Sequence, residues 1–145
     1  MIDWEEFNNA YKYYGNELVI QIIELFINGD ENENSPSYNE RISSITNAIA
    51  QKDYPGIKFH AHSLKGVIAN FYDPEPKDLA GILEWMGTQH VNDGLGEEVF
   101  QLLLDLLAKI GVENTDEGIT MIFEMLKVSA DKLLIELKQH LKTIS

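Results

Sequence analysis

His60 and His62 stand one residue apart in the stretch FHAHSLKGVIANFY, residues 59 to 72, and a lysine and a glycine follow at positions 65 and 66. Imidazole is the one side chain whose ordinary pKa, about 6.5, leaves a neutral nucleophilic nitrogen available near neutral pH, and it accepts a phosphoryl group on either ring nitrogen. A lysine three residues on lies beside the imidazole on a helix, and its ammonium suits a negative group carried by the ring. Gly66 weakens a helix interior by about 1 kcal/mol relative to alanine. Removing a side chain one turn from His62 allows close approach by another protein.

On a helical wheel, Ile57, Ala61, Leu64, Ile68 and Phe71 fall within roughly 80° of one another and define a core face. His60 lies roughly 60° from the centre of that arc, on its flank, and His62 roughly 140° away, on the outer face with Lys58, Phe59, Lys65, Gly66 and Ala69. His62 is therefore the histidine a partner reaches. Phe59 offers an apolar docking contact, Lys58 and Lys52 make the region less negative, and Ala69 clears space one turn further along. An H-x-H metal pair is poor on a helix, because residues two apart diverge. His90 and His140 have no partner readable from spacing and are expected at the surface. The stretch DENEN, residues 30 to 34, resembles the opening of a calcium loop, but Ser35 replaces the turn glycine and Arg41 occupies the place of the bidentate glutamate.

The elements that hold this helix read as all-α. Apolar residues recur at helical spacing, and period-two alternation is missing. Trp4, Phe7 and Tyr11 mark a first helix, and Gly15 separates it from a second carrying Leu18, Ile22, Leu25 and Phe26. NGDENENSP, residues 28 to 36, is a loop. Ile42, Ile45 and Ile49 stripe a third helix that DYPG, residues 53 to 56, closes. The histidine helix runs from about Ile57 to Phe71, and DPEP, residues 73 to 76, ends it. Leu79, Leu83 and Met86 stripe a fifth helix, VNDGLG breaks the chain again, and Val99, Leu103, Leu106 and Ile110 stripe a sixth. After GVENTDEG, residues 111 to 118, a last helix extends from about Asp116 to Lys142. Short connections favour antiparallel neighbours and a bundle.

Composition narrows the partners. The 145 residues suit a single domain, 1–145. Eleven basic residues against 24 acidic ones give a formal charge of −13, which disfavours nucleic acid and anionic membranes. Cysteine is absent from the sequence, so disulfides, thiol catalysis and thiolate metal sites are excluded. The acidic opening MIDWEEF lacks the pattern of a cleavable leader, and LVIQIIELFI is about half the length needed to span a bilayer. A cytoplasmic protein is expected. Nucleotide-binding loops of the glycine-rich type are missing, so phosphate is expected to come from another protein rather than from ATP.

At these residues the chain resembles a family. Ala61-His62-Ser63-Leu64-Lys65-Gly66, followed by Ala69-Asn70-Phe71, looks like the AHSLKG signature of histidine-containing phosphotransfer (HPt) domains of multistep phosphorelays. The resemblance implies an antiparallel four-helix bundle with accessory N-terminal and C-terminal helices. It implies that His62 takes a phosphoryl group from the aspartyl phosphate of one receiver domain and passes it to the aspartate of another, with Lys65 stabilising the phosphate and Gly66 giving access. Glu84, on the next helix, falls where the family often has a polar neighbour of the histidine. The chain would then be a carrier and not an enzyme. It would work with response-regulator receiver domains and a hybrid sensor histidine kinase, as a monomer whose relay face stays open. It would hold no cofactor, the magnesium coming from the receiver. Tyr72 departs from the family's usual glycine, Val67 and Ile68 from its small residues, and residues 91 to 118 exceed a minimal module. Two other classes stand beside this one: an adaptor of the same family that binds receivers without relaying phosphate, and a helical interaction domain with no relay role.

Overall fold

The computed structural model describes residues 1 to 91 and 94 to 145. Among the described residues are seven α-helices, two short 3-10 turns and no strand: α1 (Trp4–Tyr11), α2 (Asn16–Asn28), α3 (Tyr38–Ala50), α4 (Tyr54–Ile68), α5 (Pro74–Thr88), α6 (Glu97–Ile110) and α7 (Asp116–Ile144), with the turns at Glu31–Glu33 and Ala69–Phe71. The all-α expectation is met. Of the break expected at VNDGLG, residues 92 and 93 lie outside the described residues.

Helix starts follow side-chain chemistry. The oxygens of Asp3, Ser37, Asp53 and Thr115 accept from main-chain N–H groups three residues on, at 3.1, 3.1, 3.0 and 3.0 Å. Asp53 corrects the reading of DYPG. Those residues begin α4 rather than merely closing α3, because the carboxylate caps Gly56 N–H while Pro55 sits in the first turn, where it lacks only a donor the helix does not use. In the loop before α3, Asp30 accepts from Asn32 N–H at 3.0 Å, so its carboxylate serves the local turn.

The buried apolar side chains form one cluster to which all seven helices or their flanks contribute. α4 packs most extensively on α5 and also on α3, α5 packs on α7, and α2 joins α3 and α7. Three pairings fix how α4 and α5 lie. Gly87 approaches Lys58, Glu84 meets His62, and Gly81 meets Lys65, so the position rises on one helix as it falls on the other and the two run antiparallel. At Gly87 the approach is close enough that an added Cβ would come within 2.9 Å of the Lys58 nitrogen. α7, about 43 Å long at 1.5 Å per residue, buries Ile119, Ile122, Phe123, Leu126, Ala130, Leu133 and Leu137 in the middle of the core. The C-terminal helix is thus central rather than accessory. The peripheral element of this half is α6, which packs chiefly on α5 through a narrow stripe including Leu103 and Leu107.

In α2 the buried positions are Val19, Ile23 and Phe26, while Leu25 is 42% exposed and Leu18 and Ile22 are only half-buried. Phe26 is buried as expected, and the rest of the stripe is displaced by one position, from Leu18 and Ile22 to Val19 and Ile23. LVIQIIELFI is apolar on most of its circumference, and a wheel cannot choose a face when nearly every direction qualifies.

Candidate functional site

In α4, Ile57, Ala61, Leu64 and Ile68 are buried almost completely, as the wheel required, and Phe71 follows them into the core. Anchoring that arc turns Lys58, Phe59 and His62 outward. The His62 side chain is 68% exposed and Phe59 is 67% exposed. His60 is half-buried on the flank, with its ring edge-on to Phe59 at 5.2 Å.

The antiparallel register of α4 and α5 delivers Glu84 to both His62 and Lys65. Its Oε1 lies 3.1 Å from His62 Nδ1 and 2.9 Å from Lys65 Nζ. The Glu84 side chain is 15% exposed, so this carboxylate is a partly desolvated anchor and not a surface contact. A carboxylate that only accepts makes Nδ1 the protonated nitrogen of the neutral ring. The Nε2 lone pair is then the free, outward one. Pro55, Lys58, Phe59, His62, Glu84 and Val91 line an open cleft of about 580 Å³ with more apolar than polar wall. Two of these, Pro55 and Val91, were not singled out by sequence reasoning. Pro55 sits about two helical turns before His62 on the outer strip, a position the wheel could have supplied; Val91 lies beyond α5 and carries no such signal.

The remaining expected residues separate into two groups. Lys65 reaches the site by its head only, its stem running over Gly81 toward a second cleft with Trp85 and Leu106. Gly66 is exposed, and a Cβ added to it would meet nothing within 4 Å. Ala69 is half-buried where α4 gives way to the 3-10 turn, about 10 Å along the axis from His62, and does not line the cleft. Distance along the axis, and not a change of face, keeps Ala69 out of the cleft, since the chain is helical up to it. Lys52, expected to offset negative charge near the histidines, is instead 3.6 Å from Asp116 at the start of α7.

Two histidines expected as plain surface residues have partners. His90 is exposed but stacks on Tyr54 at 4.0 Å, and the Tyr54 hydroxyl donates to Asp116 at 2.7 Å. This bond holds the Asp116 carboxyl below its ordinary pKa, with help from Lys52. His140 is half-buried against Trp4 at 4.6 Å and Phe7 at 5.6 Å, and burial lowers its pKa. Tyr72, which stands where the resembled family usually has glycine, adopts φ 57° and ψ 42°, the left-handed conformation that glycine enters most easily. Its ring is held edge-on to Tyr11 at 6.4 Å, and its carbonyl accepts from Asp3 N–H at 2.7 Å.

No helix among the described residues is long and apolar enough to cross a membrane. No family model, no curated protein and no solved structure matches this chain.

Proposed function

We propose that the chain is a phosphorelay intermediate in which His62 accepts a phosphoryl group from a receiver-domain aspartyl phosphate and passes it to a second receiver aspartate. The observation that carries this reading is the exposed His62 ring tied at Nδ1 to Glu84 with Nε2 outward, beside a lysine on the same carboxylate. In the forward step the Nε2 lone pair forms the P–N bond as the P–O bond to the aspartate breaks, and the electron pair leaves with the aspartate carboxylate. The ring then carries a proton on Nδ1 and a positive charge, which Glu84 offsets. The reverse sequence delivers the group onward. Lys65 shifts from Glu84 toward the phosphoryl oxygens. Magnesium belongs to the receiver in this scheme, and the chain itself is a carrier and not an enzyme.

The apolar cleft beside His62 provides a surface for receiver docking through Lys58 and Phe59, with Gly66 and Ala69 leaving room along the strip. The bundle in this reading is an HPt-like four-helix arrangement of α3, α4, α5 and α7, with α1, α2 and α6 as additions. It acts as one unit over residues 1–145, a monomer in the cytoplasm supplied by a hybrid sensor histidine kinase. One observation favours a second reading, a silent adaptor that binds receivers without relaying: Lys65 is already engaged by Glu84 at 2.9 Å. If that pair never opens, the phosphate lacks its cation.

The test is phosphotransfer from a labelled receiver domain, with His62→Gln and His60→Gln beside the parent chain. Acid-labile label lost only in His62→Gln is the expected result. Receiver binding without label in any of several pairs would replace the relay with the adaptor.

A further inference from the structure

Arg41 is the only arginine in a chain with 24 acidic residues, yet among the described residues it forms no ion pair. Its Nη1 donates to Ser63 Oγ at 2.7 Å, its Nε is buried with no hydrogen-bond partner, and burial lowers the pKa of the guanidinium. A partly desolvated cation held by one neutral hydroxyl is an incomplete arrangement, because such charges are normally compensated by an anion. Arg41 also faces space. With Ser44, Phe59, His60, Ser63 and the turn 33 to 36 it lines a cleft of about 430 Å³ between α3 and α4, within the range of small-molecule pockets.

The walls specify the ligand. A guanidinium matches a planar carboxylate with two parallel hydrogen bonds, and the Ser44 and Ser63 hydroxyls add donors beside it. Phe59 and Pro36 provide apolar surface for the rest of the molecule. Glu33 also lines the cleft and repels a second negative charge, which disfavours a phosphate dianion. The overall charge of −13 does not prevent this, since charges more than about 8 Å away are largely screened at physiological ionic strength. We propose that the Arg41 cleft binds a small organic monocarboxylate, its carboxylate on Arg41 and its aromatic or other apolar body against Phe59. The proposal does not depend on the relay reading, since His62 does not line this cleft.

The test is a titration of the full chain with benzoate, followed in nitrogen-15 NMR spectra, where a single arginine gives a single Nε–H side-chain signal. Saturable movement of that signal, together with the amides of Ser63 and of residues 33 to 35, is expected at millimolar benzoate. Arg41→Gln should weaken binding by about tenfold or more. Ser44→Asp, which places a carboxylate in the cleft without touching Arg41, should do the same and serves if Arg41→Gln fails to fold. Phenyl phosphate should bind more weakly than benzoate and recover in Glu33→Gln. His62→Gln should bind benzoate as the parent does. An arginine signal that no carboxylate moves, equal binding by benzyl alcohol, or equal affinity in a folded Arg41→Gln or Ser44→Asp variant would overturn the proposal.

Discussion

Glu84 holds the candidate site together as much as His62 does, because one carboxylate oxygen meets both the ring Nδ1 and the Lys65 ammonium. In Glu84→Ala the neutral ring loses its fixed Nδ1–H, and the Nε2–H form gains population, which long-range nitrogen-15 correlation spectra read directly. Under the relay reading the transfer rate falls with it by about 10- to 100-fold, the usual size for loss of an orienting partner. An unchanged tautomer would show that Glu84 does not hold the ring. Gly66 separates folding from docking in the same way. Its added Cβ meets nothing in this chain, so Gly66→Ala should raise stability by about 0.5–1 kcal/mol in urea unfolding. Slower phosphotransfer in the same, more stable variant would place the need for glycine in the partner's approach; unchanged transfer would remove Gly66 from the docking surface. His62, Lys65 and Gly66 were readable in the sequence because positions three and four apart on one helix are neighbours by geometry alone. Arg41 and Ser63, 22 residues apart on different helices, were not, because their meeting depends on how α3 and α4 pack.

At the scale of the elements, the site exists because α4 and α5 keep one register, and Gly87 is where that register is tightest. Gly87→Ala would press a Cβ against the Lys58 main chain, with Ile57 and Tyr54 close behind, and backbone atoms there cannot swing aside. We expect a loss of about 1–3 kcal/mol in chemical denaturation, the range for overpacking, and a longer Glu84 to His62 contact. Wild-type stability in this variant would mean that the helices slide apart freely and that the register is not fixed there. The sequence identified α4 and its core face correctly because polar residues bound that apolar arc on both sides. It failed for the face of α2, where too few polar residues break the circumference. It also read Asp53 as part of a stop when the residue is a start, since Asp-x-Pro-Gly serves as a turn and as a cap followed by a first-turn proline with equal ease.

At the scale of the whole molecule, the ends of the chain's helical framework meet at His140, where α1 lays Trp4 and Phe7 against the last turns of α7. No spacing rule connects residues 4 and 140, so a histidine that looked like a solvated surface residue is an inter-helix contact. Its burial also makes a pH dependence that can be assigned a sign. Burial disfavours the charged ring, so the folded pKa lies below the unfolded value of about 6.5. Between those two values the unfolded chain holds a proton that the folded chain does not, and stability therefore rises with pH across that window. On acidification the contribution is fully present above the unfolded pKa and is lost as pH falls through it toward the folded one. Carboxylate protonation changes stability over a neighbouring range and relieves part of the −13 charge, so the parent's melting curve alone does not isolate this effect. The difference between His140→Phe and the parent does, because both share every carboxylate and only one can protonate at this position. The melting temperature of His140→Phe should gain on that of the parent as pH is lowered from about 7 to about 5. A difference that stays flat across that range would mean the folded ring accepts its proton as readily as the unfolded one, and that α1 does not seal it.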